Sequence, residues 1–196
     1  ILTGDIINSR KSEVIDWIDK LKYALNQYGT TPKEWEIFRG DSFQLMTDPS
    51  TALIAAIHIK AVIKQSKSLD VRIAIGIGAE EYEAQSISES NGDAFIKSGA
   101  MFENLKKQTL AIKTASPPLD EAINLMLGLA LLTANNWSYI VAKIISTTIE
   151  NPNKAQKDIA QILNKSQSSI SEALKRGGYE EITNLNSYYQ AKIKSL

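Results

Sequence analysis

QKDIAQILNKSQSSISEALKR, running from Gln156 to Arg176, divides into two short amphipathic segments about a single turn. In the first segment Ile159, Ala160 and Leu163 form an apolar stripe at i, i+1, i+4 spacing, with the small Ala160 where two helices cross closely. Asn164 stands in the turn, where the left-handed backbone conformation costs least for Gly or Asn. Ser166 is placed to cap a second helix whose Ile170, Ala173 and Leu174 face inward. The outward positions are then Gln167, Ser168, Ser169, Ser171, Lys175 and Arg176, all able to donate hydrogen bonds to phosphates or base edges. An ordinary helical hairpin also carries apolar stripes. The small residue, the turn residue and the polar outer face together favour a helix-turn-helix, with double-stranded DNA as its partner.

Composition sets the frame for that module. The chain has 196 residues, 43% hydrophobic and 22% charged, as in globular proteins. With no cysteine there is neither a disulfide framework nor a thiolate metal site, which fits a cytoplasmic location. No charged-then-apolar leader opens the sequence. Its most apolar run, residues 122–134, is too short to span a bilayer, so no membrane association is expected. The net charge is zero but unevenly spread: residues 152–196 hold seven Lys/Arg against four Asp/Glu, and residues 1–151 hold fifteen against eighteen. So small an excess implies that DNA affinity depends on dimerisation or a second contact. The segment LMLGLALL, Leu125 to Leu132, is apolar all round and predicts a homodimer.

Working back to the first half, strand and helix signals alternate. Ile1 to Ile7 reads as a strand leaving into Asn8-Ser9. From Ser12, Val14, Ile15, Ile18, Leu21 and Leu25 recur at helical spacing until Gly29 and Pro32. Trp35 to Phe38 and Ser42 to Met46 form a hairpin about Arg39-Gly40-Asp41. A helix follows Asp48-Pro49-Ser50, then a central strand from Val71 to Ile77, a helix from Asp93 to Lys107 and a last strand near Leu110 to Thr114. This order predicts an α+β fold, a ferredoxin-like or palm sandwich with a mainly antiparallel sheet and helices on one face, followed by an all-α helix-turn-helix domain. Beyond Ser116-Pro117-Pro118 only helices are predicted, near 119–134, 137–149, 154–164, 167–176 and 179–194. The expected division is a palm over 1–116, a helical connector and dimerisation region over 117–150, and a helix-turn-helix over 151–196.

Two carboxylates in the palm sit where chemistry favours them. Asp5 lies inside the first strand, where an inward carboxylate is costly without a partner, and Asp41 lies at the hairpin tip. If the first strand lies beside that hairpin the two converge, and paired hard oxygens suit Mg²⁺ or Mn²⁺ carrying a substrate's phosphates. The loop Ile6 to Arg10 would offer backbone N–H groups to those phosphates, with Arg10 and Lys11 within reach or simply solvated. Asp5 and Asp41 also have plain readings as a turn cap and a hairpin residue. His58, the one histidine, sits among Ala55, Ile57 and Ile59 and reads as structural. Lys64 and Lys67 read as solvated helix face, and Trp17, Trp35 and Trp137 as core or interface anchors.

TGDIINS followed by FRGDSFQL resembles the palm shared by class III nucleotide cyclases and GGDEF diguanylate cyclases. VRIAIGIG resembles one of their strands, and NGDAFIKSGAMFENL the start of one of their helices. With the C-terminal helix-turn-helix, the chain is most similar to the SatD family of bacterial proteins, a likeness covering nearly its whole length. That resemblance implies metal ligation by Asp5 and Asp41, and nucleotide contacts from Ile6, Arg10, Gly40 and Asp93. It also exposes departures. Ser42 stands where Glu is usual, Ile96 where cyclases need Asn, and Ala100 where they need Arg. Losing such electrostatic contacts costs roughly 10²–10³ in rate each. The expected function is therefore a DNA-binding transcriptional regulator, with the degenerate palm as a nucleotide or metal sensor or a dimerisation module. The alternatives are a metal-dependent nucleotidyl transferase or cyclase acting on ATP or GTP, and a scaffold whose helix-turn-helix binds another protein.

Overall fold

The computed structural model describes residues 1–196 other than Ser12 and Glu83. Five strands, β1 (Leu2–Ile7), β2 (Trp35–Phe38), β3 (Ser42–Leu45), β4 (Asp70–Gly76) and β5 (Leu110–Lys113), form one sheet in the order β2-β3-β1-β4-β5. All neighbours are antiparallel except β4 and β5, which run parallel. The helices are α1 (Ile18–Asn26), α2 (Ala52–Ile63), α3 (Asp93–Asn104), α4 (Pro117–Ala134), α5 (Tyr139–Glu150), α6 (Gln156–Ile162), α7 (Gln167–Arg176) and α8 (Tyr179–Ile193). The α+β architecture with a trailing set of helices is thus as the sequence predicts. No helix among the described residues is long and apolar enough to cross a membrane.

The strand pattern assigns two faces to the sheet. Leu2, Ile6, Phe43, Leu45, Ile73 and Ile75 alternate onto one face, and join Leu21 and Leu25 of α1 and most of α2 in a single core. The other face is not bare, contrary to the one-sided packing expected. Here Ala74 and Ala111 meet Leu105, Met101 and Phe102 at the end of α3. Small residues make that approach possible: a Cβ on Gly76 would lie 2.2 Å from the Ala94 carbonyl oxygen. A parallel β4–β5 pair requires a crossover segment, and α3 is that segment. Strand periodicity alone leaves both faces of so apolar a strand as β4 open to a helix.

The predicted first helix also starts late. Ser12 lies outside the described residues, Val14–Asp16 is one 3-10 turn, and α1 begins only at Ile18. Val14 and Ile15 are therefore exposed rather than part of the core stripe.

α2 is buried along nearly its whole circumference, between the sheet and α5. Each Ile on it contributes about 1.5–3 kcal/mol by leaving water. Two polar side chains are carried inside with partners. His58 Nε2 lies 2.9 Å from Glu150 Oε1 on α5, and its ring meets Tyr28 edge-on at 5.6 Å. Lys60 donates to Asp70 Oδ1 at 2.6 Å and to Thr109 at 3.2 Å. Lys64 is not a solvated side chain, since it donates to the Asn135 carbonyl at 2.5 Å and to Asp70 at 3.4 Å. Asn124 on α4 completes the free edge of β5, accepting from the Ile112 N–H at 2.8 Å and donating to the Ile112 carbonyl at 2.9 Å.

Burial lowers the Lys60 pKa from 10.5 to about 8, against the pull of Asp70. Between those values the unfolded chain holds a proton that the folded chain has released, so the contribution of Lys60 to stability rises with pH. Urea unfolding below pH 8 and near pH 10 is expected to show wild type gaining stability relative to Lys60→Met. Parallel behaviour of the two would contradict a desolvated Lys60 ammonium.

Candidate nucleic-acid interface and palm carboxylate cluster

The turn between α6 and α7 is closed by backbone chemistry that its sequence dictates. Asn164 takes φ 50°, the left-handed conformation. Its N–H donates to the Gln161 carbonyl at 3.1 Å, and the Lys165 N–H donates back to Ala160 at 2.9 Å. These paired bonds satisfy the last carbonyls of α6 and reverse the chain. At the other end of α6, the Asp158 carboxylate accepts from the Ala155 N–H at 3.0 Å. Ser166 then caps α7, its Oγ accepting from the Ser169 N–H at 3.2 Å.

On α7, Ile170, Ala173 and Leu174 are buried, while Gln167, Ser168, Ser169, Ser171, Lys175 and Arg176 are all exposed. All six residues proposed for DNA contact are thus accessible. Two features of this module were not in the sequence reading. Glu172 lies amid the outward face, where it repels phosphates yet can accept from a cytosine amino group. Lys165 adds an exposed cation in the turn. Ser168 and Ser169 also share their hydroxyls with Ser166, at 3.0 and 2.8 Å.

The far end of α7 is fixed to the rest of the molecule. Trp137 Nε1 donates to the Gly177 carbonyl at 2.9 Å. Position 177 is tightly packed: a Cβ there would lie 2.5 Å from Ile145 Cδ1 on α5, which would have to shift. Tyr189 of α8 donates to the Pro49 carbonyl and Gln190 to that of Ser50, fastening the last helix to the palm.

In the palm, β1 does lie beside the hairpin, with Asp5 opposite Ser42 on β3 and opposite Arg72 on β4. Arg72 decides the character of this cluster. Its Nε donates to Asp5 Oδ1 at 2.9 Å and its Nη2 to Asp5 Oδ2, a two-point ion pair. The guanidinium also stands 5.3 Å over the Phe102 ring. Hydrogen bonding to Asp5, with the charges of Asp5 and Asp41, raises the Arg72 pKa above its usual value. Asp41 Oδ2 accepts from Ser9 Oγ at 2.5 Å, and its carbonyl accepts from the Ile6 N–H at 3.1 Å. Asp5 and Asp41 therefore gather about Arg72, which supplies the positive charge that Mg²⁺ or Mn²⁺ would bring. As arranged, a divalent ion bound through both oxygens of Asp5 would have to displace the guanidinium.

Of the residues assigned to a nucleotide, Ile6 and Gly40 lie near each other, because the Ile6 N–H bonds the Asp41 carbonyl, whereas Asp93 stands apart. The Ile6 side chain is buried in the core, Arg10 is exposed, and Gly40 is exposed at φ 89° in the hairpin turn. The Lys11 side chain lies outside the described residues. Asp93 is paired with Lys97 at 2.5 Å and packs against Gly78, beyond the opposite end of β4 from Arg72. Six residues of extended chain separate those ends, roughly 20 Å. Ile96 and Ala100 point outward and are exposed. Arg72 was the residue missed. Its signal was a lone charge at the second alternate position of the apolar run VRIAIG, which demands a cross-strand partner.

No family model matches the chain, and neither does any curated protein or solved structure.

Asn164→Gly is expected to leave stability within a few tenths of a kcal/mol, whereas Asn164→Val costs about 1–2 kcal/mol in thermal unfolding. Equal melting of the two would contradict a left-handed turn. Arg72→Met leaves the Asp5 carboxylate without its partner and costs about 1–3 kcal/mol. Adding Asp5→Asn should restore most of that loss, and additive effects would show that the pair is not coupled.

Proposed function

We propose that this protein is a DNA-binding regulator, with α7 as the element that enters the major groove. The observation that carries this reading is the turn. A left-handed Asn164 and a Ser166 cap hold a helix with its apolar side on α5 and α6 and its polar side fully presented. Helices docked that way read base edges with their N-terminal residues, here Gln167, Ser168 and Ser171, while flanking cations meet phosphates. Lys165, Lys175 and Arg176 are exposed cations of this module.

In this reading the palm is a rigid mount rather than a catalyst. Arg72 neutralises the Asp5 carboxylate internally, and the exposed Ile96 and Ala100 offer no hydrogen bonds to a ribose or a transferring phosphoryl group. α5 and Trp137 connect that mount directly to α7.

Fluorescence anisotropy with fragments of double-stranded DNA tests the reading. Binding is expected to weaken with salt, and Lys175→Gln should lower the slope of log K against log salt by about one per chain. Glu172→Gln should tighten binding to mixed-sequence DNA by removing a repulsion. Binding that is absent at low salt, or indifferent to both substitutions, would reject α7 as the contacting helix.

A further inference from the structure

α4 presents an apolar stripe that nothing in the chain covers. Leu125 is 67% exposed, Leu129 62% and Leu132 72%, the largest exposures of any leucine within a helix. At about 100° per residue they fall on one face together with Gly128. A glycine in the middle of a helix costs about what a cap contributes, and here no intramolecular contact requires it: a Cβ at position 128 meets nothing within 4 Å. The glycine makes sense if another helix approaches the stripe closely.

The order of residues identifies that helix as a second copy of α4. Laid antiparallel about an axis between residues 128 and 129, the stripe is self-complementary. Leu125 meets the partner's Leu132, and Leu129 lies over the partner's Gly128. The charges agree with this direction. Glu121 is exposed near the start of α4, and Arg176 lies beside Leu132 and Asn136 at its end. An antiparallel pair sets each acid near the other chain's arginine, whereas a parallel pair sets like beside like.

We infer that two chains associate through an antiparallel α4–α4 contact centred on Gly128 and Leu129. Two-fold interfaces of this kind are self-complementary by necessity. The dimer does not depend on the DNA-binding reading; only its consequence does. Because Trp137, just beyond α4, holds the end of α7, this contact would fix the spacing of two α7 helices on DNA.

Light scattering at micromolar concentration is expected to give twice the 21.6 kDa chain mass for wild type and the chain mass for Gly128→Leu. Since the monomer has open space at position 128, the variant should melt no lower than a monomeric wild type, so loss of the dimer is not loss of the fold. The natural lack of cysteine allows a register test. The double substitution Leu125→Cys with Leu132→Cys should cross-link chains on mild oxidation, while either single substitution should not. The two positions lie about 10.5 Å apart along one helix, too far to bridge within a chain. A monomeric wild type, a Gly128→Leu dimer, or cross-linking by a single variant would each overturn the inference. DNA binding that survived in a monomer would leave the proposed function standing without it.

Discussion

α2 is covered on every side, and the two halves of the molecule cohere because of it. One side of the helix closes the sheet's core and the other is closed by α5. A helix that apolar is stable only with both neighbours present, so the palm and the C-terminal helices are parts of one continuous core reaching from Leu2 to Tyr189. Polar groups of α2 and of its C-cap Lys64 add to this packing. His58 reaches Glu150 on α5, while Lys60 and Lys64 tie the helix to Asp70 on β4, with Lys64 also reaching the loop after α4. Removing one partner from such a pair leaves a charge in a place that disfavours it.

In the role proposed for it α7 must be held as well as exposed, and it is held at both ends. Its start is set by the reversal at Asn164 and the Ser166 cap. Its end is set by Gly177, pressed against Ile145 of α5 and bonded to Trp137. Since α5 rests on α2, the orientation of α7 is inherited from the palm through two layers of packed side chains. Precision of this kind is what a recognition surface needs from a scaffold.

Much of this was legible in the sequence where local chemistry decides the outcome. Asn164, Ser166 and the spacing of Ile170, Ala173 and Leu174 define α7 from the sequence, because turns, caps and helical periodicity act over a few residues. The succession of strands and helices along the chain followed from the same patterns. What escaped depended on contacts between distant residues. Arg72 and Asp5 are 67 positions apart and meet only through the β1–β4 register. The placement of α3 on the second face follows from Ala74 and Gly76 leaving space, which periodicity does not report. Val14 and Ile15 had the right spacing for α1 but precede its first turn. Asn124 interrupts the apolar run of residues 122–134 and is the partner of an edge strand.

The role of α7 is tested most directly by following backbone amide signals of the full chain by nuclear magnetic resonance while double-stranded DNA is added. If α7 is the reading helix, the amides of residues 165–176 shift progressively, while those of the palm sheet, including Asp5 and Arg72, stay in place. Shifts confined to the palm, or none in α7 at DNA concentrations that saturate binding, would contradict it.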